Sequence, residues 1–339
     1  MALLFMDGFD HYAAADANKK WTTASVGDIS GTYGRTGNGV QLSTRYHYMT
    51  KTVSATGVTT IVVGFDYKLT SSGYTTLMGF IESGILQCSL TLETGNKIGF
   101  RRGDAATGST LLATGTAVLS SADWQFIEVK VTFSNTVGTA EVRVNGVTDI
   151  TLTGIDSCSN ANEYCTGIVL GSINSACLGG YFDNVYVLDS TGSENNNFLG
   201  VVSINTVFPT AEGTNTGWTP LSGTDNALMV DETSQDGDTT YNYSDTVSAR
   251  DTYAITDITS TGAEVFGVAV NAMVRKDGDA DRKIKPTLKS SATYSLGTEV
   301  TLTTSYLNTQ QIYNTDPNTS AAWTETNVNA IEAGIDVSA

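Results

Sequence analysis

Two carboxylates at a fixed separation would let a β-sandwich cleave glycosidic bonds, and they usually lie close together on one strand. No Glu-x-Asp-x-x-Glu pattern occurs here, and Glu128 and Glu141 stand alone on the polar side of alternating segments, where solvation is expected. The two histidines are His11 and His47. Neither has a Gly-x-Ser-x-Gly elbow or a metal-spaced partner to work with, and His47, between Tyr46 and Tyr48, reads as a strand residue. No catalytic residue is assigned, and the chain is not expected to be an enzyme.

Oxygen ligands for a hard cation are more plentiful. Asp277-Gly278-Asp279-Ala280-Asp281 begins like a calcium loop, but Arg282 stands where the loop needs glycine and Leu288 where it needs a bidentate carboxylate. A hairpin tip between Val274 and Ile284 is the expected structure, and Asp236-Gly237-Asp238 is read the same way. Asp7, Asp10 and Asp183 form a better candidate for a structural calcium, because the first and last strands of a sandwich can lie side by side. No other cofactor is expected. Arg102-Gly103-Asp104 matches an adhesion tripeptide, but it follows a strand as an ordinary turn. Tyr33, Tyr46, Tyr48 and Tyr74 lie in or beside loops, and their ring faces suit the apolar faces of pyranoses, which makes them candidate glycan contacts. Cys88, Cys158, Cys165 and Cys177 match no paired zinc spacing. They are expected to be buried free thiols, with a Cys158 to Cys165 disulfide as the alternative in an oxidising exterior.

The elements that must hold these residues read as β throughout the first half. Ile127, Val129, Val131 and Phe133 form one apolar row, and Ala140, Val142 and Val144 a second with Glu141 and Arg143 opposite. Asn145-Gly146 supplies the positive φ angles of a tight hairpin, and Ile150 and Leu152 lie on a third strand. Further strands are expected at 3–6, 41–42, 46–49, 59–69, 76–81, 87–92, 97–101, 166–170 and 181–188. No segment up to Ser190 has a 3.6-residue apolar period, so residues 1–190 are assigned to a β-sandwich. The polar run from Asp189 to Asn197 places a linker at 191–200.

Residues 201–339 are expected to form a smaller, mainly β domain. Its strands are placed at 201–208, 252–258, 264–275, 283–288, 300–306, 311–313 and 335–337, and a short helix at 324–333 closes at Gly334. The irregular stretch from Thr210 to Asp238 carries Trp218 and is long for a loop without its own structure. It is therefore placed in an interface of a homo-oligomer, most plausibly a trimer, with Trp218 and Trp323 as interface residues.

Composition narrows the partners. The 339 residues include 34 glycines and 4 prolines, charged residues make up 16%, and the formal net charge is -17. Such a surface disfavours nucleic acid, since phosphate neutralisation needs clustered Lys and Arg. No stretch approaches the roughly 20 apolar residues of a membrane-spanning helix. The opening Met1-Ala2-Leu3-Leu4-Phe5-Met6-Asp7 has no basic residue before its short apolar run, so synthesis in a cytosol as a soluble protein is expected.

Three segments together carry a family resemblance: Leu4-Phe5-Met6-Asp7-Gly8-Phe9-Asp10, the meander from Trp124 to Leu152, and Tyr181-Phe182-Asp183-Asn184-Val185-Tyr186-Val187. Across residues 1 to 190 the chain resembles the concanavalin A-like, laminin-G-like jelly roll, a fold that hosts lectins, glycosidases and structural domains alike. Val230-Asp231-Glu232, Asp236-Gly237-Asp238-Thr239-Thr240-Tyr241, Arg250-Asp251-Thr252-Tyr253, and Asp316-Pro317 followed by Ala322-Trp323-Thr324 resemble a C-terminal region of tailed-bacteriophage virion proteins. That resemblance implies an all-β, non-enzymatic structural or accessory protein on the tail or capsid surface, assembled in the bacterial cytoplasm. In this reading 201–339 attaches to other virion proteins. The alternative it leaves open is a receptor-binding, lectin-like protein that engages host surface polysaccharide.

Overall fold

A computed structural model describes residues 3–44, 46–104, 108–173, 179–258 and 262–339. The chain divides into two units, Met1–Ile204 and Asn205–Ala339.

Among the described residues fifteen strands build the first unit. They begin β1 (Leu3–Asp7), β2 (Thr23–Ser25), β3 (Asp28–Ser30), β4 (Gly39–Leu42) and β5 (Tyr48–Thr52), with one helical turn, α1 (Ala17–Lys20), before β2. Then come β6 (Thr60–Leu69), β7 (Thr75–Glu82), β8 (Ile85–Glu93), β9 (Lys97–Arg102) and β10 (Thr110–Val118). The series ends with β11 (Gln125–Thr132), β12 (Gly138–Val144), β13 (Val147–Ile155), β14 (Gly167–Gly171) and β15 (Gly180–Asp189).

These strands form two antiparallel sheets. One runs β13-β12-β11-β6-β15-β4-β3 with β1 also on β15, and the other runs β10-β9-β8-β7-β14-β5-β2. The two sheets make the expected β-sandwich. Its core joins Ile127, Val129, Val131 and Phe133 to Phe65, Phe80, Leu90, Phe100 and Ile168, so the apolar row read from the sequence is the inner face of the larger sheet. Asn145 and Gly146 take φ of 51° and 77°, as the β12–β13 hairpin requires. Strands β2, β3 and β10, absent from the sequence reading, lie toward the edges, where short or polar segments are recruited by a neighbour's hydrogen bonds. On β10, Asp149 of β13 accepts from the Thr116 and Ala117 amides and latches the two sheets at one side.

The segment after β15 departs from expectation. Val201–Phe208 alternates in apolarity, yet it forms no strand. Residues 197–204 are instead strapped across the outer face of the larger sheet. Asn197 accepts from Lys130, Phe198 lies under the Arg143 guanidinium, and the Gly200 and Ile204 amides donate to Glu128 and Asn184.

In the second unit, β16 (Pro209–Thr216), β17 (Thr219–Pro220), β18 (Asn242–Tyr243), β19 (Arg250–Ile255) and β20 (Val268–Val274) come first. They are followed by β21 (Lys283–Ser290), β22 (Thr293–Leu296), β23 (Val300–Thr301), β24 (Leu307–Tyr313), the turn α2 (Glu325–Val328) and β25 (Ile331–Val337). A six-stranded sheet runs β16-β19-β25-β21-β22 with β23 on β21, and β20 pairs with β24 separately. Gly334 is therefore a strand residue and not a helix stop. A side chain there would put Cβ 1.9 Å from the Asp251 carbonyl oxygen, so only glycine lets β19 and β25 approach. The loop carrying Asp277, Asp279 and Asp281 links strands of different sheets and is not a hairpin tip. Lys276 Nζ bonds the carbonyls of Asp279 and Ala280 inside it.

Candidate functional site

The candidate site is the outer face of the seven-stranded sheet, where register aligns side chains across six strands. One row is Thr50, Val169, Gly79, Ser89, Arg101 and Leu111. Beside it run Thr76, Thr91, Gly99 and Thr114. Their chain neighbours Met49, Ile168, Leu170, Met78, Phe80, Cys88, Leu90 and Phe100 point into the core, which is what turns these hydroxyls and glycines outward.

Over this floor stands one organised group. Arg101 Nε and Nη2 donate to the two Glu93 carboxylate oxygens at 2.8 and 3.2 Å, and its guanidinium lies 5.0 Å from the Tyr74 ring centroid. Thr91 Oγ1 donates to Glu93 Oε1 at 2.7 Å. Gly99 leaves room for the Glu93 side chain, since a Cβ there would fall 2.7 Å from Glu93 Cγ. Burial works against charge on Glu93, but Arg101 and Thr91 outweigh it and hold the carboxyl below the usual range. Burial also raises the Tyr74 phenol, which keeps its hydroxyl a donor. The Thr76 hydroxyl is fully buried and has no hydrogen-bond partner. A bidentate Arg–carboxylate pair behind an aromatic ring fixes that ring's orientation. The result is a positioned, partly exposed ring and no uncompensated charge, an arrangement suited to contact with a neutral, hydroxylated surface.

The sequence-selected tyrosines divide between faces. Tyr74 belongs to this group and is 42% exposed; Tyr48, on β5, shares the face through its pairing with Gly171. Tyr46 is 52% exposed with φ of 68° just before β5. Tyr33 is elsewhere, its ring 5.0 Å from Tyr181 of the other sheet. Sequence reasoning missed Arg101, Glu93 and Thr76, although the alternation Thr91-Leu92-Glu93 and Gly99-Phe100-Arg101 carries the signal.

Asp7, Asp10 and Asp183 are not brought together, which corrects the calcium expectation. Asp7 opposes the core residue Val185, while Asp183 opposes Asp66 on the outer face of the same sheet. Asp7 Oδ1 accepts from Lys20 Nζ and the Phe9 amide, both at 3.0 Å, and Oδ2 from Tyr12 at 2.5 Å and Trp21 at 2.7 Å. Asp10 caps the Asn38 amide at 2.6 Å. Asp183 accepts from the Arg35 and Thr36 amides, and burial raises it to about 7, against those amides and with Asp66 adding to the rise. Among the described residues no three acidic, histidine or cysteine side chains converge to hold a metal.

Other readings change as well. Glu128 is fully buried, not solvated: the strap covers it, and Oε1 accepts from Tyr186 at 2.6 Å and the Gly200 amide at 2.9 Å. Glu141 stays half-exposed beside Arg143. His47 sits in the turn before β5, and His11 packs on Lys20 with Nζ to Nε2 of 3.1 Å. Asp104 is buried and Arg102 pairs with Asp156, so the tripeptide is not presented. Cys88, Cys158 and Cys165 are buried free thiols that burial pushes up; Cys177 lies outside the described residues. Trp323 is 4% exposed in the second unit's core, with Nε1 donating to the Tyr313 carbonyl. Trp218 packs on the Val274, Ile284 and Leu302 cluster and donates to the Ala249 carbonyl. Both indoles thus serve their own unit's interior, which removes the reason for assigning them to an interface.

Neither a protein-family model nor a curated protein matches the chain. Among solved structures it is similar to alginate lyase Aly36B, with a TM-score of 0.34 and 13% identity over 52% of this chain and 91% of that one. It is similar to domain 4 of AbnA, an extracellular arabinanase from Geobacillus stearothermophilus bound to arabinotriose, with a TM-score of 0.38 and 14% identity over 56% and 93%. The binding domain of Paraclostridial Mosquitocidal Protein 1 gives 0.38 and 10% over 55% and 48%. Likeness this distant carries no argument about what the present chain binds.

Proposed function

We propose that this chain is a non-enzymatic surface protein of a tailed-bacteriophage virion whose jelly roll contacts host saccharide through the outer face of the seven-stranded sheet. The observation that carries the saccharide contact is the exposed Tyr74 ring held against the Arg101–Glu93 pair. A ring face offers apolar area to the C–H side of a pyranose, and the phenol hydroxyl at its edge can donate to the sugar's rim. Because Glu93 occupies Arg101, the face favours a neutral saccharide over an acidic one. The virion assignment is supported by the resemblance carried by residues 230–324, and attachment to other virion proteins is given to the second unit.

A glycan array of neutral and acidic bacterial polysaccharides tests the contact. Saturable binding is expected, with Tyr74→Ala weakening it roughly tenfold, the effect of losing about 1.4 kcal/mol. Binding that survives both Tyr74→Ala and Tyr48→Ala would remove this face from the proposal. The absence of any binding would leave the virion role alone, which immunogold labelling of particles tests: label confined to host debris would overturn it.

A further inference from the structure

The outer face of the larger sheet carries a row of four side chains from four neighbouring strands. Lys68 of β6 opposes Tyr181 of β15, Tyr181 opposes Gln41 of β4, and Gln41 opposes Asp28 of β3. Their chain neighbours Tyr67, Leu69, Phe182, Val40, Leu42 and Ile29 lie in the core, so all four point outward. Neighbours in such a row are about 5 Å apart, which puts Lys68 and Asp28 about 15 Å apart at its ends.

A fifth side chain reaches the row from the loop before β4. Gly39 makes room for that loop, since a Cβ there would fall 2.2 Å from the Tyr33 carbonyl oxygen. The Arg35 and Thr36 amides donate to Asp183 Oδ2 at 2.8 and 3.1 Å, and Arg35 Nη1 donates to Asp66 Oδ1 at 2.8 Å. Pinned in this way, the loop sets the Tyr33 ring 5.0 Å from the Tyr181 ring, at an interplanar angle of 40°. The same bonds occupy the carboxylates of the next row on this face: Asp66 and Asp183 are fully buried, one paired with Arg35 and the other held by the two amides.

The row itself is left with spare groups. Among the described residues Lys68 has no ion pair, and its ammonium, the Gln41 carboxamide and the Tyr33 and Tyr181 hydroxyls have no hydrogen-bond partner. All four side chains are partly exposed. Two ring faces suit the C–H side of a pyranose, and the amide, phenols and ammonium can bond its rim, while the row holds no aliphatic side chain to anchor an apolar peptide. An unpaired ammonium selects a carboxylate, whereas Arg101 on the opposite sheet is already occupied by Glu93.

We propose that Lys68, Tyr181, Gln41 and Tyr33 form a second saccharide site, specific for an acidic glycan whose uronate carboxylate pairs with Lys68. The site shares no residue with the Tyr74 face and stands or falls separately from the contact proposed there.

The full chain is titrated by calorimetry with tetragalacturonate and with its fully methyl-esterified form, which keeps the rings and removes the charge, at low and at high NaCl. Wild type is expected to bind the acid about threefold to fivefold tighter than the ester, the reach of an exposed ion pair, and to lose that margin at high salt. Lys68→Gln should bind acid and ester alike. Tyr181→Ala should weaken both about tenfold, and Tyr33→Ala, on the loop outside the sheet, carries that arm if Tyr181→Ala does not fold. Equal affinity of wild type for the two forms, or a preference unchanged in Lys68→Gln, would overturn the proposal. So would a chain that binds neither form. Binding that Tyr74→Ala weakens while Tyr181→Ala and Tyr33→Ala leave it intact would put the saccharide on the other sheet and overturn it too.

Discussion

His11 offers a stability measurement whose size follows from its surroundings. Its Nε2 faces Lys20 Nζ at 3.1 Å, its ring lies 5.0 Å from Tyr12, and burial first, then the Lys20 charge, lower it to about 3, with Asp7 opposing. The folded protein therefore keeps this imidazole neutral where an unfolded chain, at about 6.5, takes up a proton. The sign follows from linkage: between pH 6.5 and about 3 the unfolded state binds more protons, so stability falls as pH falls through that window. At pH 5 the ideal loss is about 2 kcal/mol, and partial solvent access to the ring reduces it to about 1–2 kcal/mol. His11→Gln keeps an acceptor for Lys20 without titrating in this range, and the variant should lose less stability than wild type on going from pH 7 to pH 5. Urea unfolding read by hydrogen exchange of β1 and β6 peptides follows the first unit separately from the second. Equal losses in wild type and variant would refute the reasoning, because they would mean that His11 is already protonated in the fold.

Gly334→Ala is expected to destabilise the second unit by about 3 kcal/mol or more, because the new Cβ meets backbone at 1.9 Å and not a yielding side chain; thermal unfolding checks this, and an unchanged transition would show that β19 and β25 can separate without cost. Tyr186→Phe removes the hydroxyl that bonds Glu128 and the Leu199 amide, at a cost of about 1–3 kcal/mol. The strap at 197–204 should then become sensitive to limited proteolysis, and resistance equal to wild type would show that Gly200 and Ile204 hold it unaided.

The meander from β11 to β13 was legible because its information is local: period-two apolarity and an Asn-Gly turn suffice. What the sequence concealed depends on partners far along the chain. Glu128 looks like any polar strand residue until Gly200, 72 positions on, covers it. Val201–Phe208 has strand-like apolar alternation, but alternation records only which side is dry, and in this region a dry side is made by lying on a sheet. Trp218 and Trp323 suggested an interface because an indole in an irregular, polar context lacks a visible core, and theirs is assembled from β20, β21 and β24. In the outer-face site, Tyr74 was accessible from type and loop position alone. Arg101 and Glu93 were not, since their pairing is fixed by the β8–β9 register.

The strap also bears on where the first unit stops as a piece of protein. A cut in the polar run after Asp189 looks harmless in sequence, yet it would uncover Phe126, Glu128 and Tyr186, all buried in the intact chain. Their exposure would leave a bare carboxylate and two aromatic rings on the outer face of the larger sheet. A portable form of the jelly roll must therefore run to Ile204, so the residues that read as a spacer between modules are inherited with the first of them.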